Sequence, residues 1–217
     1  MINVLAQGGP LLWIIMAGGI AALIIFLERW FHIHRAKIKT EDFVNGILNI
    51  LSRRNITEAL TICKETPGPV AQIVRAAVTR FSQPPAAVRQ AIDEAALVEI
   101  SRLERHFGTL ATIAQVAPLA GLIGTVFGMI RAFAAIQQKA PLVPAADLAG
   151  GIWTALITTA AGLIVAVFAY LAYNLLVAKT DSIVLDMEHS ANEIAGFLAG
   201  QGAANADPAR NSSGSAP

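Results

Sequence analysis

The residues best suited to chemistry are four threonines in two long apolar segments. They occur in APLAGLIGTVFGMIRAF, which holds Thr125, and in GIWTALITTAAGLIVAVFAYLAYN, which holds Thr154, Thr158 and Thr159. A threonine in an apolar helix either bonds a carbonyl of its own helix or lines a polar path, and the spacing leaves both open. No Asp or Glu occurs in residues 106–146 or 148–180. Any titrating group that acts beside these hydroxyls must therefore come from elsewhere.

The same two segments carry small residues at repeated spacings of four and three. The first stripe is Ala114, Pro118, Gly121, Thr125, Gly128 and Ala132, and the second is Gly151, Ala155, Thr158, Gly162, Val165 and Ala169. Small residues at this spacing let membrane helices approach closely, and Gly124 with Gly128 adds a GxxxG pair. We therefore predict that these helices are built for close helix contacts. The packing positions are Pro118, Gly121, Gly124, Gly128, Gly151 and Gly162.

The elements that carry these residues are predicted to be membrane-spanning helices. Hydrophobic residues make up 55% of the 217 residues and charged residues 14%, and the mean hydropathy is +0.57, as in integral membrane proteins. Three apolar segments reach the roughly 20 residues that a span requires: residues 10–30, 107–136 and 148–178. No segment of any length shows a β-strand pattern. The predicted fold class is an all-α integral membrane protein with three transmembrane helices and long helical cytoplasmic extensions.

The distribution of basic residues predicts the orientation. Twelve of the sixteen Lys and Arg residues fall in 29–105, and none precedes the first span. The positive-inside rule then places the N-terminus outside and the C-terminus in the cytoplasm. Residues 1–9 and the loop 137–147 are predicted to be periplasmic, and 31–106 to form a cytoplasmic helical domain. Residues 179–199 continue the third helix, and the Ala, Asn, Ser and Gly-rich tail 200–217 is predicted to be disordered.

Capping residues and prolines in the cytoplasmic segment predict where its helices begin and end. Thr40 is a possible cap, Asn55 with Glu58 resembles a capping box, and Pro69 suits a first helical turn. After Pro85 no breaker occurs before Pro118, so we expect one helix over 85–136. The single cysteine, Cys63, is expected to be a buried free thiol.

Signatures of other functions are missing from the sequence. It has no Gly-x-Ser-x-Gly elbow, phosphate-binding glycine loop or His-Glu-x-x-His, so we expect neither an enzyme nor a cofactor. His32 and His34 have no third ligand nearby, and no metal is predicted. The net charge of +1 and the lack of a basic run with aromatics give no reason to expect nucleic acid binding. His106 could titrate at the inner membrane boundary.

The two threonine-bearing segments resemble the ExbB/TolQ/MotA family of proton-channel and stator subunits, closest to the ExbB and TolQ branch. The resemblance covers about residues 55–178. Its most specific part is APLAGLIGTVFGMI followed by ALITTAAGL. It implies a homo-oligomer, a pentamer in this family, whose second and third spans surround a pore. The implied partner is an ExbD- or TolR-like protein whose single span carries an aspartate, with a TonB-like protein as a further partner and lipid around the complex.

The resemblance also assigns roles to residues. The channel threonines of the family match Thr125 and Thr159, and Thr158 and Thr154 are further candidates for the proton path. Two departures are present. The family's usual glutamate is Thr154 here, and its Ile-Pro pair is Val167-Phe168.

Two classes of function stay open from the sequence. The first is a proton-driven motor subunit that works at the outer membrane, with Ton-type transport, TolQ-like envelope constriction or gliding and other motility as its possible tasks. The second is a membrane scaffold that does not conduct ions. The retained threonines favour the first class and the missing glutamate favours the second.

Overall fold

A computed structural model describes residues 9–36, 39–139 and 144–206. These residues form seven helices and contain no strand: α1 (Gly9–Ala36), α2 (Thr40–Ser52), α3 (Ile56–Glu65), α4 (Pro69–Thr79), α5 (Pro85–Leu103), α6 (Phe107–Lys139) and α7 (Ala145–Ala206). The chain divides into two compact units. One comprises Met1–Trp30 with His106–Val177, and the other comprises Phe31–Arg105 with Ala178–Pro217. The predicted all-helical class is confirmed for the described residues.

Three helices are long and apolar enough to cross a membrane, as the sequence predicts. The qualifying stretches are Gly9–Ile33, Pro85–Gln138 and Leu148–Gly200. The second of these stretches includes α5, α6 and the short turn between them. In the first unit, α1, α6 and α7 share a core formed by Ile15, Ala117, Val165 and Ala166. The rings of Phe26 and Phe168 meet edge to face at 6.2 Å. Phe168 therefore helps to pack α1 against α7.

The predicted single helix over 85–136 is wrong, because residues 104–106 interrupt it. α5 ends at Leu103, and α6 begins at Phe107. His106 adopts a left-handed conformation with φ +70°, which ends a right-handed helix without glycine or proline. Histidine is among the non-glycine residues that enter this region more readily than most. The helix α6 itself continues through Pro118.

The second unit contains the short helices α2 to α5, and most of its predicted boundaries are confirmed. The Asn55 side chain accepts a hydrogen bond from the Glu58 amide at 3.4 Å and donates to the Glu58 carboxylate at 2.6 Å. Pro69 and Pro85 each occupy the first turn of a helix. The predicted cap at Thr40 is wrong, because Thr40 already lies in the helix and Lys39 is the capping residue.

The helix α7 extends beyond its predicted end. It runs for 62 residues to Ala206, so it includes residues 200–206 of the predicted tail, while residues 207–217 lie outside the described ranges. The predicted apolar face of its second half is buried at Ile183, Met187, Ile194 and Leu198. Cys63 is a buried free thiol, as expected. The second half of α7 thus belongs to the core of the second unit.

Candidate polar path along the paired helices

The helices α6 and α7 pack so closely that side chains are nearly absent from parts of the contact. A Cβ atom added at Gly128 would lie 2.7 Å from the Gly151 carbonyl oxygen, and one added at Gly162 would lie 2.6 Å from that of Ala117. Real Cβ atoms do not approach other atoms to such distances. These glycines are therefore required by the close approach of two backbones, which is the packing mode that small-residue stripes favour.

The second predicted stripe matches the buried face of α7 at every position. Its members Gly151, Ala155, Thr158, Gly162, Val165 and Ala169 are all buried. The first stripe matches only in part. Gly121, Gly128 and Ala132 are buried, whereas Ala114, Pro118 and Thr125 are half-buried. Ala117 and Gly124 are buried on α6 instead. Ala117 was missed, although a small residue four positions before Gly121 is the signal that identifies it.

Thr158 lies inside the contact between the two helices. Its side chain is 1% exposed, and its hydroxyl donates to the carbonyls of Thr154 at 3.0 Å and Ala155 at 2.9 Å. A Cβ atom at Gly124 would lie 2.5 Å from the Thr158 Cβ. The Thr158 side chain thus fills the space that Gly124 leaves open, and it bonds to its own helix.

Thr159 forms the polar link between α6 and α7. Its Oγ1 donates a hydrogen bond to the Gly121 carbonyl at 2.9 Å, and the residue is half-buried. A Cβ atom at Gly121 would be 3.1 Å from the Thr159 Cα. The glycine therefore allows α7 to come near enough for the hydroxyl to reach a backbone carbonyl of the neighbouring helix.

Thr125 and Thr154 bond within their own helices. The Thr125 hydroxyl donates to the Leu122 carbonyl at 2.6 Å, and the Thr154 hydroxyl donates to the Gly150 carbonyl at 3.0 Å. Both residues are half-buried, so part of each side chain stays accessible from outside the chain. Thr125 lies one helical turn after Gly121. Thr125 and Thr159 therefore lie close to the same carbonyl.

This arrangement provides hydrogen-bonding groups without a group that titrates near neutral pH. A hydroxyl can donate one hydrogen bond and accept two, so a row of them can orient water or a carboxyl group. Residues 107–146 and 148–180 contain no Asp, Glu or His. Within the described ranges, no group of three His, Cys, Asp or Glu residues is placed to hold a metal ion. These two segments thus offer hydroxyl groups without a carboxylate or imidazole of their own.

Comparison with known proteins identifies the family. The profile of the MotA/TolQ/ExbB proton channel family matches residues 65–189, which include all of α6 and the membrane-spanning half of α7. This chain belongs to the MotA/TolQ/ExbB family. The match contains Thr125, Thr154, Thr158 and Thr159, so all four threonines described above lie inside the region that defines the family.

Individual relatives come from both the ExbB and TolQ branches. An ExbB homolog of Methanothermobacter thermautotrophicus is 31% identical over 189 residues, which are 87% of this chain and 67% of the relative. The Tol-Pal system protein TolQ of Pseudomonas aeruginosa is 39% identical over 53% of this chain and 54% of its own length. The biopolymer transport protein ExbB of Neisseria gonorrhoeae is 41% identical over 43% of this chain and 42% of its own length. The chain is therefore a multi-pass membrane protein of the proton-channel, stator type.

Proposed function

We propose that this chain is the channel-forming subunit of a motor in a bacterial inner membrane, which uses the proton motive force to drive work at the outer membrane. The observation that carries the proposal is the Thr159–Gly121 hydrogen bond beside Thr125. It lies inside the matched proton-channel region, in two segments, residues 107–146 and 148–180, that contain no carboxylate. These threonines would form hydrogen bonds with an acidic side chain, or with its water, as that side chain gains and loses a proton.

The acid is proposed to come from a partner of the ExbD or TolR type, whose single span carries an aspartate. A proton crossing the membrane releases about 2.3 kcal/mol per 100 mV, and only a group that changes its protonation state can use that energy. Thr125, Thr154 and Thr159 are proposed to contact the partner helix, because each is partly accessible in one chain. Thr158 is proposed to maintain the helix pair, since its hydroxyl is buried against Gly124.

Several copies of the chain are proposed to surround the partner as a homo-oligomer, with five copies as the expected number. The outward face of α6 carries large apolar side chains that are about half exposed or more, namely Leu119, Leu122, Val126, Phe127, Ile130 and Phe133. Such a face suits lipid and neighbouring subunits. The basic residues of 29–105 are proposed to lie in the cytoplasm, in accordance with the positive-inside rule.

Ton-type transport, with a TonB-like protein as a further partner, is the proposed task, and envelope constriction or motility are its alternatives. Relatives named ExbB and TolQ both match, so the shared mechanism is better supported than any one task. Thr154 favours a second candidate function. A ring of subunits with Thr154 lacks the carboxylates that the family's glutamate would supply, and a scaffold that holds a partner without conducting protons would tolerate that loss.

The deciding experiment compares three threonine-to-valine variants, coexpressed with a single-span partner whose helix carries an aspartate. Valine matches threonine in shape and removes the hydroxyl. We expect Thr159→Val and Thr125→Val to assemble normally and to lose proton uptake into proteoliposomes. Thr112→Val is the matched control, because the Thr112 hydroxyl is exposed and bonds the Gly108 carbonyl of its own helix at 2.8 Å. No uptake by the unaltered complex would support the scaffold instead. Equal uptake by all three variants would contradict the role proposed for Thr125 and Thr159.

A further inference from the structure

Gln115 is a polar side chain in the apolar segment of α6, and the mechanism proposed above gives it no task. It occurs in ATIAQVAPLAGL, eight residues after Phe107, where α6 begins. At 1.5 Å per residue, Gln115 lies about 12 Å along the helix from that start. The residue is exposed in the single chain. Its side-chain amide forms no hydrogen bond with any other part of the chain that the structure describes.

The amide of Gln115 requires hydrogen-bonding partners that lipid cannot provide. A side-chain amide has two donor hydrogens and an acceptor oxygen. The threonines of the paired helices satisfy their hydroxyls on backbone carbonyls, as Thr125 does on Leu122 at 2.6 Å. Gln115 has no such internal partner, and the hydrocarbon of a bilayer contains neither donors nor acceptors. The side chain must therefore meet water or another polar surface.

Pro118 adds a second hydrogen-bonding group at the same place. Proline has no amide hydrogen, so the carbonyl of Ala114, four residues earlier, lacks the donor that a regular helix would supply. Pro118 lies inside α6, and Ala114 is half-buried. Ordered water is one of the groups that satisfy carbonyls released by proline in membrane helices. Ala114 and Gln115 thus present a backbone acceptor and an amide at nearly the same depth.

The position of Gln115 around α6 relates it to the threonines. Gln115 lies three residues before Pro118, and Pro118 lies seven residues before Thr125, which are spacings that keep residues on one side of a helix. The next residue, Val116, lies on a different side. It shares that side with Ile123, and both are large apolar residues that are about half exposed. Gln115 therefore lies toward the side of Thr125, whereas Val116 lies on a side suited to lipid.

We infer that water from the side proposed to be cytoplasmic reaches Gln115 and the Ala114 carbonyl, which together form a water-binding site on the inner part of the proton path. Thr125 is 18 residues, or about 27 Å, from the start of α6, and it is ten residues, or about 15 Å, from Gln115. Water at Gln115 thus shortens the distance between solvent and Thr125 by almost half. The part played in the path rests on the proposed function, whereas the water site itself does not.

The water site is tested by cysteine labelling of the full chain in inverted bacterial membrane vesicles, whose outer surface is the cytoplasmic one. Gln115→Cys and Val116→Cys are compared in a Cys63→Ala background. They are matched because the two residues are both exposed in one chain and differ in depth by about 1.5 Å. A charged, membrane-impermeant methanethiosulfonate reacts with the thiolate, which apolar surroundings suppress. We expect Gln115→Cys to react at least about tenfold faster than Val116→Cys.

Equal labelling rates would overturn the water site. Equal and fast rates would mean that the headgroup region of the membrane reaches both residues. Equal and slow rates would mean that lipid or another chain covers Gln115. The Cys63→Ala chain without a new cysteine is the blank and should not react.

The part played in the proton path is tested by proton uptake with the partner present. Gln115→Leu keeps a side chain of similar size and removes the amide, so we expect uptake to fall several-fold, whereas Gln115→Asn should retain most of it. Val116→Leu is the control and should leave uptake unchanged. Unchanged uptake in Gln115→Leu would overturn the role of Gln115 in the path. An absence of uptake in the unaltered complex would contradict the proposed function, and the labelling result would still decide the water site.

Discussion

The Thr159 hydroxyl donates a hydrogen bond to the Gly121 carbonyl at 2.9 Å, across the contact between α6 and α7. In a regular helix this carbonyl also accepts the amide hydrogen of Thr125, four residues later. One backbone oxygen therefore connects Thr125 and Thr159. A group that competes for the Thr159 hydroxyl, such as a partner carboxylate, would change the polar link between the two helices.

Removing the Thr159 hydroxyl should affect function far more than stability. Hydrogen bonds between membrane helices contribute about 0.6 kcal/mol on average, and the Gly121 carbonyl keeps its helical partner in the valine variant. We expect Thr159→Val to lower the midpoint of thermal unfolding in detergent only slightly, and Thr159→Ser to retain both stability and proton uptake. A large loss of stability in Thr159→Val would mean that the bond is structural.

Enlarging Gly124 should disrupt the helix pair. A Cβ atom there would collide with the side chain of Thr158, and overpacking typically costs about 1–3 kcal/mol. We expect Gly124→Ala to reduce thermal stability and assembly, measured by unfolding in detergent and by size-exclusion chromatography. The double substitution Gly124→Ala with Thr158→Gly should recover part of the loss.

The control for this prediction is Gly18→Ala on α1. A Cβ atom at Gly18 meets no atom within 4 Å in the chain, and alanine is the better helix former by about 0.5–1 kcal/mol. We expect this variant to be as stable as the unaltered chain or more stable. Equal losses in Gly18→Ala and Gly124→Ala would show that the helices tolerate no added methyl group, whatever its surroundings.

The cap of α3 should contribute measurably to the stability of the second unit. Asn55 and Glu58 bond each other reciprocally at the helix start, and replacing such a cap by alanine costs about 1 kcal/mol. We expect Asn55→Ala to lower the unfolding temperature. Thr61→Ala should leave it nearly unchanged, because the exposed Thr61 hydroxyl only bonds the Thr57 carbonyl of its own helix.

The thiol of Cys63 should be unreactive while the second unit is folded. Desolvation by burial raises its pKa from 9.0 to about 11, and the opposing effect of Arg75 is smaller. Because the folded-state pKa is raised, the stability contributed by the neutral thiol is complete below about pH 9 and is lost as the pH rises to about 11. We expect maleimide labelling near neutral pH only after denaturant is added. Rapid labelling of the folded chain would contradict the buried position.

The sequence predicts the three apolar helices and the buried face of α7 well, because both follow from patterns within one helix. It predicts less well what depends on contacts between helices. The rotation of α6 that buries Ala117 beside the predicted Gly124, and leaves Pro118 and Thr125 half-buried, is decided by the partner helix. Proline and threonine are bulkier than the buried alanine and glycine.

The break at residues 104–106 and the Arg29–His106 contact could not be inferred from local patterns. Glu104, Arg105 and His106 are ordinary helix residues on the solvated or boundary side, and no glycine or proline marks the turn. The contact joins residues 77 positions apart. Neither an arginine nor a histidine in the sequence indicates that the other lies next to it in the fold. The sequence identified His106 as titratable, and only the structure shows which group it meets.

The facing pair Gly128 and Gly151 has a consequence for how the protein can vary. At this crossing each backbone touches the other, and neither position has a side chain to remove. Any substitution there must add atoms to the contact. Substitutions that change or improve proton uptake are therefore expected at other positions. In a library of variants selected for proton uptake, these two codons should remain untouched while the outward face of α6 accumulates substitutions.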